Sequence, residues 1–255
     1  MTFSIIQKSQ LESASRLDAD YFQPEYLEMA SLLSRGNEKL MKNVVDGVFS
    51  GPFGSTLKSE SYQSSGIPFI RISDVQDMFI DRSNLVCISE EENNRIYSTH
   101  LNPGDIVLSK IGTIGRLSVI SEDLGEVNIS ENNIGIRLSN LTDKQRAFIL
   151  IFLLSKFGQK QILRKGSGNV QQKLNVSDIE LIILPNFEDG IVDENYELFT
   201  SSTSHREKSI KSYQEAENLL LEELGLKNFK IPENSSYIVN YSDTEKVNRV
   251  DADYF

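Results

Sequence analysis

Apolar and polar residues alternate in short runs between about residues 40 and 140, a pattern that predicts strands rather than long helices. Gly, Pro, Asn and Ser separate these runs and mark turns between them. The predicted strands cover 43–49, 67–72, 84–88, 105–110, 115–121 and 134–138. Many short strands favour a curved, barrel-like sheet in an α/β (α+β) domain.

Other segments carry apolar residues at helical spacing. One helix is predicted over 24–36, between a proline and a glycine, and another over 142–165, where a threonine can cap the first turn. Residues 179–184, which end at Pro185, are predicted to form a buried strand. The last predicted helix, 196–224, consists mostly of good helix formers.

The helix 196–224 carries a narrow apolar stripe. Its members, at three-, seven- and four-residue steps, are Ile210, Tyr213, Leu220 and Leu224. A stripe this narrow, on a helix up to roughly 40 Å long, suits a partner helix in a coiled coil and predicts a dimer interface. The alternative from periodicity alone is an amphipathic helix that lies on its own domain.

A repeat links the two ends of the chain. Residues 16–22 read Arg-Leu-Asp-Ala-Asp-Tyr-Phe and residues 249–255 read Arg-Val-Asp-Ala-Asp-Tyr-Phe, while the residues upstream of each copy also match at the same offset. The offset, 249 − 16 = 233 residues, is that of a whole domain rather than of a solenoid repeat. We therefore expect one domain at 1–195, a long helix at 196–225 and the start of a second repeat unit at 226–255, with both copies folded alike.

Composition narrows the chemistry that the chain can perform. The 255 residues contain one Cys and two His, which excludes an internal disulfide framework and a multi-cysteine metal site. No run approaches about 18 consecutive apolar residues and no signal for export is evident. These features predict a protein of the reducing cytoplasm.

Charge is unevenly distributed. The net charge of −11 alone argues against a nucleic-acid partner, because phosphate neutralisation by Lys and Arg supplies most non-specific affinity for DNA. However, residues 156–173 contain only basic charged residues, and 178–197 contain only acidic ones. The local potential can therefore differ in sign from the total. A solvated helix face is the alternative interpretation of so short a basic run.

Several segments, in order, carry a resemblance to a known family. They are 50–58 (Ser-Gly-Pro-Phe-Gly-Ser-Thr-Leu-Lys), 66–71 (Gly-Ile-Pro-Phe-Ile-Arg), 101–116 (beginning Leu-Asn-Pro-Gly-Asp), 128–133 (Asn-Ile-Ser-Glu-Asn-Asn) and 166–174 followed by 178–185. Together they resemble the target-recognition domains of type I restriction-modification specificity subunits. The resemblance covers most of residues 40–225.

The resemblance implies a function and a set of partners. A full specificity subunit has two such domains joined by two long antiparallel helices, so we expect this chain to correspond to about half of one. It implies a non-catalytic subunit that binds double-stranded DNA and directs methyltransferase (M) and restriction (R) subunits. Those partners would hold S-adenosylmethionine, magnesium and ATP, so we expect neither a cofactor nor a metal in this chain.

The candidate DNA-binding residues combine cations and hydroxyls for phosphate with amides for bases. Hydroxyls and cations beside turn glycines suit phosphate oxygens, and side-chain amides can bond adenine bidentately. The candidates are Ser55, Thr56, Lys58, Arg71, Lys110, Thr113, Arg116, Lys165, Asn169, Gln171, Gln172 and Lys173. Ordinary turn glycines and an exposed polar loop are the alternative explanations.

Two other function classes remain open. One is the recognition part of another DNA modification enzyme, such as an adenine methyltransferase, and the other is a structural helical oligomer. The chain lacks the Asn/Asp-Pro-Pro-Tyr/Phe motif of amino-methyltransferases, a Gly-rich cofactor turn and a P-loop. A purely structural protein would not explain the basic run followed by amides, so the specificity subunit is favoured.

Overall fold

The computed structural model describes residues 4–9, 11, 17–33, 39–52, 57–166, 172–227 and 238–249. The chain divides into two compact units, Met1–Ser201 and Ser202–Phe255.

Short strands and helices alternate along the described residues. The helices are α1 (Pro24–Leu33), α2 (Glu90–Arg95), α3 (Asp143–Leu154), α4 (Lys156–Lys165), α5 (Val176–Glu180), α6 (Asp189–Glu223) and α7 (Tyr241–Val247). The strands are β1 (Lys39–Leu40), β2 (Gly47–Ser50), β3 (Ile67–Ile70), β4 (Val86–Ile88), β5 (His100–Leu101), β6 (Ile106–Ser109), β7 (Leu117–Val119), β8 (Val127–Ile129), β9 (Asn133–Arg137) and β10 (Ile183–Leu184).

The strands of the first unit form two four-stranded sheets and a small pair. The first sheet has the order β2-β9-β6-β7 and is antiparallel throughout. The second has the order β4-β3-β8-β5, with β3 and β8 parallel, and β1 pairs with β10. The predicted mixed α/β class is confirmed, and the described strands form separate sheets rather than one closed barrel.

Strand β6 shows how the core is layered. Its side chains alternate, so Ile106 and Leu108 join a core cluster with helices α3, α4 and α5, while Val107 joins the cluster with the second sheet. All four residues of β6 are buried. A strand that is apolar on both faces must be covered on both, and here helices cover one side and the second sheet covers the other.

The two sheets are joined where β8 turns into β9. The amide of Ser130 donates to Ile70 O at 3.0 Å, and the buried Asn133 side chain donates to the same carbonyl at 2.9 Å. The backbone of Gly51 lies so close to the β8–β9 turn that an added Cβ would be 2.1 Å from Ser130 O. Only glycine allows this approach, which fixes the ends of β2 and β3 relative to each other.

The predicted single helix over 142–165 is wrong in one respect, because it breaks at Ser155. Ser155 has an extended backbone, and its hydroxyl donates to Phe152 O at 2.6 Å and accepts from the amide of Gly158 at 3.4 Å. One serine thus closes α3 and caps α4. The capping residue at the start, Thr142, is as predicted.

The predicted strand 179–184 is also only partly correct. A capping box between Asn175 and Asp178 starts α5 instead, and only Ile183–Leu184 forms a strand. The run of acids at 90–92 is the first turn of α2, capped by Ser89, a helix that the periodicity did not predict. Carboxylates in a first turn are favoured by the helix dipole.

The long helix α6 begins at Asp189, before the expected start at about residue 196. Its first part belongs to the first unit, where Val192 is buried and Phe199 packs against the core. In the second unit the chain turns from extended residues to a helix at residue 241, and in the first unit it does so at residue 8. Since 241 − 8 = 233, the two repeat copies share this transition, while 12–16 and 250–255 lie outside the described residues.

Candidate nucleic-acid interface

Several strands end along one edge of the first unit. Strands β2, β3 and β6 end at Ser50, Ile70 and Ser109, and the β8–β9 turn lies between them. The residues at this edge, Ser50, Arg71, Lys110 and Glu131, are called the rim below. The register of the strands therefore gathers residues that are up to 81 positions apart in sequence.

Lys110 is the central cation of the rim. Its Nζ donates to Ser50 Oγ at 2.7 Å and to Glu131 O at 3.2 Å. Burial lowers the pKa of Lys110, the nearby Lys173 lowers it further, and Glu131 raises it. An anionic oxygen near these two ammonium groups would therefore be stabilised.

The backbone of 172–174 pairs with the loop that follows β6. Residues Ile111 and Lys173 form an antiparallel bridge, flanked by hydrogen bonds from Gly112 N to Gln172 O at 3.1 Å and from Leu174 N to Lys110 O at 3.0 Å. Leu174 is completely buried, whereas Gln172 and Lys173 are exposed. The bridge therefore holds Gln172 and Lys173 against the loop that begins at Lys110.

The loop after β6 is stabilised by its own hydrogen bonds. Ser109 Oγ donates to Thr113 O at 2.7 Å and accepts from the amide of Arg116 at 3.0 Å. The Thr113 side chain is exposed, while Arg116 is half-buried and its Nη1 lies 3.4 Å from Gln76 Oε1. The structure thus brings Lys110, Thr113 and Arg116 onto one loop next to Gln172 and Lys173.

Arg71 has an internal partner. Its Nε and Nη2 donate to the carboxylate of Asp74 at 3.1 and 3.0 Å, and Nη2 also donates to Asn84 O at 2.6 Å. Asp74 is 4% exposed, so the pair stabilises the loop after β3. A carboxylate three residues after the arginine was the sequence signal for this pair, and DNA contact by Arg71 stays a prediction.

The basic run on α4 also binds other parts of the first unit. Lys160 forms an ion pair with Glu25, and Arg164 Nε donates to Tyr21 O at 2.9 Å. The Arg164 guanidinium lies 4.2 Å from the centre of the Tyr21 ring. Sequence reasoning missed these contacts, although the tyrosine of the first repeat copy and an acid at the start of α1 are suitable partners for a basic helix.

The remaining candidates are more peripheral. Lys58 is exposed at the start of a short 3-10 turn, and Lys165 is half-buried at the end of α4. Four candidates lie outside the described residues, namely Ser55, Thr56, Asn169 and Gln171. Their contacts with DNA stay predictions.

Three of the predicted dimer residues lie on α6, and Leu224 follows its last residue. Ile210, Tyr213, Leu220 and Leu224 are exposed by 42%, 74%, 59% and 61%. Among the residues that the structure describes, no cluster of three or more His, Cys, Asp and Glu side chains could hold a metal ion. No described helix combines the length and apolar character needed to cross a membrane.

Comparisons with known proteins agree on one family. The model of the type I restriction modification DNA specificity domain matches residues 47–188, a range that contains the whole rim. The specificity subunit of the type I restriction enzyme EcoBI of Escherichia coli is 23% identical over 153 residues, which are 58% of this chain and 31% of that subunit.

Two solved structures share the fold. The S subunit of a type I restriction-modification system from M. genitalium has 14% identity and a TM-score of 0.51 over 77% of this chain and 46% of that one. The type IIG restriction endonuclease BpuSI has 10% identity and a TM-score of 0.51 over 75% of this chain and 30% of that one. The chain spans less than half the length of each of these relatives.

Proposed function

This chain belongs to the family of type I restriction modification DNA specificity domains, and we propose that it recognises a DNA sequence through the rim and the segment 172–174. The observation that carries the proposal is the convergence of Lys110, Thr113, Gln172 and Lys173 at one edge of the first unit. These residues offer ammonium groups, a hydroxyl and an amide within one surface.

The side chains on this surface suit different parts of DNA. Lys110 and Lys173 suit phosphate oxygens, which fix the position of a protein on the duplex without reading sequence. Gln172 is exposed beside them and can read an adenine edge through its amide. The backbone hydrogen bonds on both sides of Lys173 hold these groups in place before DNA arrives, which reduces the entropic cost of binding.

The acidic total charge is compatible with this surface because the long acidic run lies on another element and only Glu131 belongs to the rim. The carboxylates of the 188–197 run belong to α6 and the residue before it, where Asp193 pairs with Lys144 at 2.7 Å. DNA responds to the local potential within about 10 Å at moderate salt. A basic patch on an acidic protein can therefore bind DNA while the other surfaces repel it.

The proposed partners are the methyltransferase and restriction subunits of a type I restriction-modification system in the cytoplasm. In this proposal the chain contributes recognition and has no catalytic activity of its own. S-adenosylmethionine, magnesium and ATP would be held by the partner subunits. Residues 1–195 are the proposed recognition domain, 196–225 the spacing helix and 226–255 the start of a second repeat unit.

We also propose that two copies of the chain associate through α6. Positions at seven-residue steps along α6 are Val192, Phe199, Arg206, Tyr213 and Leu220. The first two of them pack against the core of the first unit, whereas Tyr213 and Leu220 are exposed. Apart from Arg206, these positions are apolar or aromatic, and their continuation beyond the core of the first unit supports a partner helix with the same periodicity.

A two-fold dimer sets the form of the DNA target. Two identical recognition domains in inverted orientation would bind two related half-sites separated by a spacer. The second repeat copy, 238–255, is proposed to contribute to association rather than to DNA contact. Its helix α7 contains exposed Tyr241, and residues 250–255 lie outside the described part of the chain.

A selection experiment tests the proposed function. The full chain is incubated with a library of duplex DNA that contains a randomised 30-base-pair region, and bound molecules are sequenced with and without a methyltransferase subunit of the same system. We expect enrichment of one bipartite motif and adenine methylation within it only when the methyltransferase is present. A chain that binds DNA without enrichment would not be a specificity subunit, and methylation by the chain alone would support the enzyme alternative.

A further inference from the structure

The first repeat copy forms a compact turn that DNA recognition does not explain. The amide of Tyr21 donates to Asp18 Oδ1 at 3.0 Å, which closes the turn. Phe22 is 4% exposed, and its carbonyl accepts from Ser4 Oγ at 2.5 Å. The segment 18–22 is called the aromatic turn below, and its shape is set by its own sequence.

The aromatic turn holds the last turn of α4. Arg164 donates to the Tyr21 carbonyl and lies over the Tyr21 ring, so one side chain makes a charge-assisted hydrogen bond and a cation–π contact at once. Arg164 is the penultimate residue of α4. Its position therefore controls the direction in which the chain leaves the helix.

The end of α4 is in turn connected to the rim. Gln159 Nε2 donates to Gly115 O at 2.9 Å, which ties α4 to the loop that carries Thr113. At Gly166 an added Cβ would lie 2.6 Å from Ile114 Cδ1 and 3.8 Å from Gln172 Cδ. A shift of the last turn of α4 would therefore displace Gln172 and the loop after β6 together.

We propose that the aromatic turn is a positioning element for DNA reading, in which Tyr21 acts through Arg164 to set the placement of Gln172. Tyr21 is a positioning residue and contacts no DNA. The inference rests on the proposed function and assigns a role to a repeat motif that the DNA-binding residues themselves leave unexplained.

Three variants of the full chain test this role. Tyr21→Ala removes the ring, Arg164→Lys keeps the charge but loses the planar guanidinium, and Tyr21→Phe keeps the ring. Tyr97→Ala is the matched control, because Tyr97 is 49% exposed and stacks on His100 with ring centres 4.1 Å apart, near the start of β5. Thermal unfolding shows whether each variant is folded at the assay temperature.

The first readout is the ratio of affinity for the enriched motif to affinity for random duplex. We expect this ratio to fall by about threefold to tenfold in Tyr21→Ala and Arg164→Lys, the range of a lost cation–π contact. Tyr21→Phe keeps the ring and should have the wild-type affinity ratio, as should the control Tyr97→Ala. Affinity for random duplex should stay constant in Tyr21→Ala, because no phosphate contact is removed.

The second readout needs no DNA. Amide hydrogen exchange at residues 160–166 and 172–173 should become faster in Tyr21→Ala than in wild type and should stay at the wild-type rate in Tyr21→Phe. If wild type selects a motif but Tyr21→Ala changes neither the exchange rate nor the affinity ratio, the inference is wrong. The proposed function is not affected by that result. A wild-type chain that selects no motif would overturn the proposed function and this inference with it.

Discussion

Replacing Lys173 with Ala should weaken DNA binding and change its dependence on salt. The ammonium group of Lys173 is exposed and lies close enough to Lys110 to lower its pKa, so both cations can approach the same stretch of phosphate. Truncating an exposed side chain leaves the backbone bridge between Lys173 and Ile111 intact. We therefore expect a change in binding without a change in fold.

The magnitude follows from counterion release. Each neutralised phosphate contributes about 0.9 to the slope of log affinity against log salt, so one lost contact should reduce the slope by about 1. Between 50 and 200 mM salt, wild type should lose about threefold more affinity than Lys173→Ala. The preferred sequence should remain the same, because phosphate contacts carry no base information.

Fluorescence anisotropy with a labelled random duplex at several salt concentrations measures this slope. Lys208→Ala is the control, because Lys208 is an exposed lysine on α6 and its loss gives the same change in net charge. An equal reduction in slope for Lys208→Ala would show that total charge, rather than this surface, governs binding. A wild-type slope for Lys173→Ala would remove Lys173 from the interface.

Further substitutions test the frame, the dimer and the titration of the central cation. Gly51→Ala should lower the free energy of unfolding by about 1–3 kcal/mol in urea denaturation, because its Cβ would meet a carbonyl of the β8–β9 turn, whereas Gly47→Ala has open space and should cost far less. Leu220→Glu together with Leu224→Glu should convert a sedimenting dimer into monomers, and a wild-type protein that is monomeric at micromolar concentration would contradict the proposed association. DNA affinity should fall as pH rises through the lowered pKa of Lys110, since the ammonium is charged only below it, and Lys110→Met should abolish this step.

The strands could be predicted from sequence because their determinants are local. Alternation of apolar residues between turn formers located β3, β6 and β9 to within a few residues. The break at Ser155 could not be predicted in this way, because the apolar face continues through it and the helix direction changes only through hydrogen bonds of one hydroxyl. The start of α6 was missed because Val192 and Phe199 contact core residues distant in sequence.

The candidate site was predicted in part for the same reason. Hydroxyls and cations beside turn glycines predicted the loop at 110–116, and amides beside cations predicted the segment 172–173. In the structure both segments lie at the same edge. The Arg71–Asp74 pair is local and had a signal in the sequence. The contact of Arg164 with Tyr21 had none, because a pairing between residues so distant along the chain depends on the tertiary fold.

The backbone hydrogen bonds around Lys173 have a consequence for how this domain can change its target. The loop after β6 is paired with 172–174 through main-chain atoms, and Leu174 supplies the buried anchor. The side chains of Thr113, Gln172 and Lys173 are exposed, so their replacement leaves these main-chain hydrogen bonds intact. In the proposed function, substitution of the base-reading Gln172 would therefore change the preferred sequence on an unaltered frame.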